Sequence, residues 1–540
     1  MDWSAVYDNH GEEDGRWEEH GETRSSRNAH RLLHRKMSMS VELQAQETQK
    51  YTPLVAYAFT VNYILGVGSL GIPFAFYQAG IVLSNVMIVL VSVLSYMTVM
   101  WVSETVARAR EVFIVRYINE CTALNGSRRG SRSRRGSCSD AFEYDDFPEV
   151  TQLCERFLGP VGSKLYQISL LGLMYGGLLG YSQVFVNSFL AQVSHIGALE
   201  ISSMHAALVF AVIVIPLSCS DLTEQIMVQL AMSVVRFVAL LIMIFSAAYA
   251  IHADPYDSGA VQAAELQAEA AMATTMYISD FSLVNFSGFG IMFSTAVFSQ
   301  VSDRTSGEVV ELLTNTSRTL YQLFQHSVPG LLAPLGNNRQ AQSHAIFGST
   351  LLTTTLFYIA LGTVCSLYFG PKVASSVNLN WADFTWGISE SSALVPFWAK
   401  ILSMIVVIFP ALDTLSVYPL ISITLGDNMA AVIPDSLSKR VGGRSFWKVL
   451  CRLTASIPPV VVSMFVADLS ITLQFSGMFG VYVAFFAPAL LQLSATKQVP
   501  DSNVYSGRFS GRSYAYGVLV FGVFALGILL YQFAQQILRV

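Results

Sequence analysis

Residues 59–80 read FTVNYILGVGSLGIPFAFYQAG, an apolar run fit to span a bilayer but interrupted by Gly66, Gly68, Gly71 and Pro73. In hydrocarbon every backbone N–H and C=O needs a partner, so helix breakers at membrane depth are tolerated only where the freed groups face protein or a water-filled cavity. Interrupted spans of this kind are where secondary transporters place their substrates. Unwinding over Leu65, Gly66, Val67, Gly68 and Ser69 exposes N–H groups on one half-helix and C=O groups on the other. The N–H end carries positive dipole and suits a carboxylate; the C=O end suits an ammonium or a cation. A zwitterion fits both. The competing explanation of the glycines is close helix packing through small residues. Asn62, one turn before the break, can satisfy freed carbonyls or touch substrate.

The rest of the chain agrees with a bilayer setting. Of 540 residues, 53% are apolar and 13% charged, and mean hydropathy is +0.48. Apolar windows of about 20 residues, enough for one crossing, place spans near 52–79, 81–107, 164–192, 204–219, 226–251, 281–300 continuing at 326–335, 344–369, 393–425, 449–467, 470–495 and 513–538. That is an all-α polytopic membrane protein with eleven spans. Lys and Arg fix its orientation: segments 1–51, 108–164, 426–448 and 496–512 hold seven, ten, four and three of them. The opposite-side connections 193–203 and 252–280 hold none, and 370–392 holds only Lys372. The positive-inside rule therefore puts the N-terminus in the cytosol and the C-terminus outside.

Residues 1–51 read as a disordered cytosolic tail and 108–150 as a basic, Ser/Arg-rich cytosolic loop. The run SRRGSRSRRGSCS from Ser127 to Ser139 repeats an Arg-Arg-Gly-Ser unit. It is either a solvated linker drawn to anionic lipid or a switch in which phosphorylation of Ser131 and Ser137 cancels the positive field. The six cysteines form no metal-like cluster. No nucleophile-base constellation, nucleotide loop or metal motif points to an enzyme or a cofactor, and nothing points to nucleic acid.

Several stretches resemble the amino acid/auxin permease family. They are NYILGVGSLGIPFAFYQAG in the first span, FPEVTQLCERFLGPVGSKLY before the third, MSVVRFVAL around Arg236, QHSVPGLLAPL from Gln325, IFPALDTLSVYPLISITLGDN from Ile408 and SGMFGVYVAFFAPALLQL in the tenth span. The resemblance covers roughly residues 51–538. It implies two inverted five-helix repeats whose first and sixth helices are broken and face one another, with Gly66 to Ser69 opposite Phe293, Ser294, Thr295 and Ala296. It also implies secondary active transport of amino acids or similar small zwitterions by alternating access. Tyr181 in the third span either closes over substrate or packs the bundle. Arg236 fits an ion pair or a carbonyl contact better than a substrate contact.

Coupling falls to the eighth and sixth spans. Asp413 and Ser416 interrupt an apolar run, and an intramembrane carboxylate is a functional candidate by default. Sodium-coupled relatives use hydroxyl side chains on this helix, where this chain has Asp413 and Leu415, so a proton is preferred over sodium. His326, just after the break in the sixth helix, is a second titratable candidate. A non-transporting amino-acid sensor in the membrane is the alternative function.

The sixth span carries an anomaly. Residues 301–325, VSDRTSGEVVELLTNTSRTLYQLFQ, bring Asp303, Arg304, Glu308, Glu311 and Arg318 to membrane depth. Removing them restores FGIMFSTAVFSQHSVPGLLAPL, close to the family's pattern. The cassette is either a retained intron, since Gln300-Val301 and Phe324-Gln325 permit CAG-GTN and TTTCAG boundaries, or a real insert that splits the helix.

Overall fold

A computed structural model of the chain describes residues 53–126, 148–193, 195–196, 199–219, 226–253, 283–301, 328, 332, 342–382, 384, 386, 396–431, 433 and 443–539. The first span is two helices, α1 (Pro53–Ile64) and α2 (Gly68–Ala79), with Leu65 to Val67 non-helical between them. There follow α3 (Ile81–Gly126), α4 (Val150–Gln192), α5 (Ser203–Cys219), α6 (Ile226–Ala253), α7 (Phe289–Val301), α8 (Ser343–Phe369), α9 (Phe397–Ala431) and α10 (Gly443–Ser463). The tenth span is α11 (Leu469–Val481), a π turn over Tyr482–Phe486 and α12 (Ala487–Gln498); α13 (Arg512–Arg539) is last. A two-residue antiparallel pair, His195–Ile196 with Leu199–Glu200, lies between α4 and α5.

Each of the eleven expected spans contains helix. Among the described residues seven helices are long and apolar enough to cross a membrane by length and composition, and the chain is an integral multi-pass membrane protein. The outer helices turn large apolar side chains outward: Phe245 is 66% exposed, Val212 66%, Val520 71% and Phe524 63%. In water such faces would be a liability; against acyl chains they cost nothing.

Two boundaries differ from expectation. Helix α3 runs on to Gly126, so residues 108–126 of the expected loop are helical. Helix α4 starts at Val150, because the amphipathic stretch before the third span joins it across a kink. There Gly159 has φ 75°, a left-handed conformation that glycine adopts without a Cβ clash, and Pro160 follows. Glu149 and Gln152 form a capping box at the start of α4. Asp468 caps α11, its carboxylate accepting the Ser470 N–H at 2.9 Å. The tail 1–51, Ser131, Ser137, His326 and residues 302–327 lie outside the described residues.

Helices α2 and α7 pack closely and antiparallel. A Cβ placed on Gly68 would lie 2.7 Å from Ser299 Oγ and 2.9 Å from Ser299 Cα, and one on Gly71 would lie 2.4 Å from Leu473 Cδ1 and 3.7 Å from Thr295 Cγ2. Advancing from residue 68 to 71 on α2 thus retreats from 299 to 295 on α7. Gly68 and Gly71 serve close packing here. Gly68→Ala must push α7 backbone away, and overpacking of this kind costs about 1–3 kcal/mol. The expected result is a melting temperature in detergent several degrees below the parent; an unchanged melt would mean that the helices separate freely.

Candidate functional site

The break in the first span leaves carbonyls without helical partners, and side chains from two other helices supply them. Arg236, on α6, donates from Nη1 to the Leu65 carbonyl at 2.6 Å. Its Nη2 forms an ion pair with Asp413 Oδ2 on α9. Both residues are buried, Arg236 to 3% and Asp413 to 5% exposure. Tyr358, on α8, donates toward the Ile64 carbonyl at 2.8 Å and lies 3.0 Å from the Ser299 carbonyl on α7. On the other side of the break, Ser69 N–H returns to the Gly66 carbonyl at 3.1 Å, and Ser69 Oγ donates to the same oxygen at 2.8 Å. Helix α2 begins at Gly68 with its N-terminus, the positive end of its dipole, at this point.

A cavity of about 10 Å³ lies beside the break, lined among others by Gly66, Val67, Ser69, Arg236, Asp413 and Thr414. It has room for about one water. A cavity of this size admits nothing larger than water unless the α1–α2 break and α9 move apart.

Of the expected substrate contacts, Gly66, Val67 and Ser69 line this cavity, Leu65 presents its carbonyl to Arg236, and Gly68 packs on Ser299. Asn62 lies in the last turn of α1. Tyr181 is completely buried in α4. Phe293 to Ala296 fall away from the cavity. Phe293 stacks on Phe289 at 5.7 Å and meets Phe521 edge-on at 5.7 Å. Ser294 Oγ donates to the Gly290 carbonyl at 2.6 Å, Thr295 lies toward Gly71, and Ala296 is fully buried. The register is therefore shifted by about one turn from the expected facing, with Gly68 against residues 298–299 and Gly71 toward Thr295. Ser416 turns to its own helix, Oγ donating to the Asp413 carbonyl at 2.8 Å.

The break also differs electrostatically from expectation. The Ile64 and Leu65 carbonyls, which the sequence offers to an ammonium or a cation, already accept from Tyr358 and Arg236. Asp413 faces a fixed guanidinium. Tyr358 carries no signal in the sequence, since a lone Tyr in an apolar span reads as packing.

A second buried polar network does carry one. Glu104 is an acidic residue inside a span, completely buried, and Arg108 reaches its carboxylate at 2.9 Å. Gln492 Nε2 donates to it at 2.9 Å and Ser510 Oγ also bonds it. This network ties α3 to α12 and to the turn before α13. It borders a cavity of about 160 Å³ shared with Tyr96, Trp101 and His344. Among the described residues no group of His, Cys, Asp or Glu is placed to hold a metal ion.

These features define a polytopic helical membrane protein built around a broken helix whose freed carbonyls are capped by an arginine and a tyrosine. No protein-family profile matches the chain. It is 23% identical over 531 residues to the transmembrane protein 104 homolog of Dictyostelium discoideum, covering 88% of this chain and 96% of that one. It is 22% identical over 490 residues to transmembrane protein 104 of Mus musculus, covering 82% and 87%. Over 62 residues, 12% of each chain, it is 42% identical to the homolog of Drosophila melanogaster. Among solved structures, a substrate-bound, outward-open Na+-coupled sialic acid symporter covers 88% of this chain and 93% of its own, with 12% identity and a TM-score of 0.36.

Proposed function

We propose that this chain is a secondary active transporter of amino acids or similar small zwitterions, working by alternating access and coupled to protons. The observation that carries the reading is the broken first span: a helix N-terminus, two capped carbonyls and a buried ion pair meet at the break, beside a small cavity. A discontinuous helix held in this way is costly to build unless the irregular backbone lines a site. The α2 N-terminus suits the substrate carboxylate. The substrate ammonium competes with Arg236 and Tyr358 for the Leu65 and Ile64 carbonyls, so binding and loosening of the break go together.

The guanidinium supports proton over sodium. Arg236 already brings to Leu65 and Asp413 the positive charge that a bound sodium would supply. An arginine stays charged, so the group that can change charge in this pair is Asp413. A proton on Asp413 dissolves its pair with Arg236 and frees α9 from α6. Ser416, His326 and the phosphorylation of Ser131 and Ser137 remain subsidiary parts of the proposal. So do a cytosolic N-terminus and a place in the plasma membrane or an acidic organelle.

Uptake of a radiolabelled amino-acid panel into proteoliposomes, with and without an inward proton gradient, tests this. The expected result is accumulation of at least one amino acid that the gradient accelerates and that sodium in place of choline leaves unchanged. Saturable binding without gradient-driven flux would favour the sensor.

A further inference from the structure

Tyr358 has one hydroxyl and two carbonyls within reach, 2.8 Å from Ile64 at the end of α1 and 3.0 Å from Ser299 near the end of α7. A phenol carries one proton. At any instant one carbonyl receives the hydrogen bond and the other faces the oxygen's lone pairs. The two acceptors belong to different moving parts. Ile64 ends the first half of the broken helix, where its carbonyl also accepts the Gly66 N–H at 2.9 Å. Ser299 sits where α7 presses against Gly68 of the second half. Its own Oγ, fully buried, has no hydrogen-bond partner among the described residues. Helix α8 is held to its neighbours independently of Tyr358, through Thr353 with Tyr57 on α1 at 2.8 Å and through Thr355 with Ser92 on α3. Tyr358 is therefore not needed merely to dock α8.

We propose that Tyr358 is a positioning residue that joins the end of α1 to the end of α7 and, by passing its one donated hydrogen bond between Ile64 and Ser299, sets how readily the closed site opens. Two carbonyls within reach of one proton offer two arrangements, and a signal that favours one of them shifts the balance. The role in opening rests on the transport reading; the joint itself does not.

The test compares Tyr358→Phe with Tyr57→Phe in the full chain, in nanodiscs. Both remove one hydroxyl, but only the first touches both α1 and α7. Hydrogen–deuterium exchange is expected to quicken about fivefold, the worth of one net hydrogen bond, in both 61–69 and 295–301 for Tyr358→Phe. For Tyr57→Phe the change is expected in α1 alone. Exchange in Tyr358→Phe confined to one segment, or unchanged in both, overturns the joint. In uptake of the radiolabelled amino-acid panel, Tyr358→Phe is expected to raise kcat about fivefold, because the lost bond holds the closed site, with KM little changed. A lowered or unaltered kcat overturns the role in opening. If the exchange result holds while the parent chain transports nothing, the joint stands and the transport reading fails.

Discussion

Arg236→Ala is expected to abolish uptake and to lower the melting temperature more than any other single change in the bundle. The guanidinium serves the Leu65 carbonyl and the Asp413 carboxylate at once, and both lose it together. Removing one partner of a buried ion pair strands the other charge and costs about 3–5 kcal/mol. Arg236→Lys is not a mild alternative, since an ammonium lacks the planar fork that spans two acceptors. The second variant separates folding from function. In Arg236→Ala/Asp413→Asn no unpaired charge remains, so about 2 kcal/mol or more of the loss is expected to return, the size of a strong coupling in a double-mutant cycle. Uptake is expected to stay absent, because the capped break is not restored and the carboxylate proposed to carry the proton is gone. Thermal melts in detergent and uptake in proteoliposomes read the two effects. A single variant as stable as the parent would show that the pair is not closed in the folded protein.

The spans and the break were legible because they rest on local chemistry. Twenty apolar residues must cross or be buried, and Gly66, Gly68, Gly71 and Pro73 weaken a helix wherever they stand. What holds the break together was less legible, because it is assembled from residues far apart in sequence. Leu65 and Arg236 are 171 positions apart and Arg236 and Asp413 are 177 apart. Periodicity reports which face of a helix is apolar; it does not report which carbonyl a distant side chain will reach. Arg236 and Asp413 could each be singled out as charges inside spans, yet nothing in either stretch says that they meet.

The facing of α2 and α7 shows the same limit in packing. Gly66 to Ser69 and Phe293 to Ala296 are the natural pair if the helices meet at their midpoints. Gly68 lies instead against Ser299, and the aromatic ring of Phe293 is drawn to Phe289, Phe485 and Phe521. Close approach is decided by the shapes of both surfaces, and only one of them carries a readable glycine pattern. The extension of α3 to Gly126 is a failure of another kind. Charge marks the end of the membrane, not the end of the helix.

Deleting residues 301–325 is expected to raise uptake at least tenfold. The flanks belong to the interior: Gln300 is completely buried, its side chain donating to Ser92 Oγ at 2.6 Å, and Val328 and Leu332 beyond the cassette are completely buried as well. Between them the sequence carries Asp303, Arg304, Glu308, Glu311 and Arg318. A charge at the centre of a spanning helix costs about 2.5–3.5 kcal/mol on insertion scales, so a stretch with five of them is unsuited to continuing the span. The cassette begins, in sequence, two residues beyond Ser299, whose carbonyl Tyr358 approaches and which packs on Gly68. Joining Gln300 to His326 lets the sixth helix resume directly and brings His326 to the end of α7. The gain is to be measured as initial uptake of the radiolabelled panel by the deleted and full chains in parallel. Sequencing of mature transcripts across the codons for Ser299 and Ser327 supplies the independent arm, with messages lacking the segment expected to predominate. Uniform retention of the segment, together with equal uptake by both forms, would establish it as a working part of the protein and would place the second half of the site on a helix that tolerates a long detour.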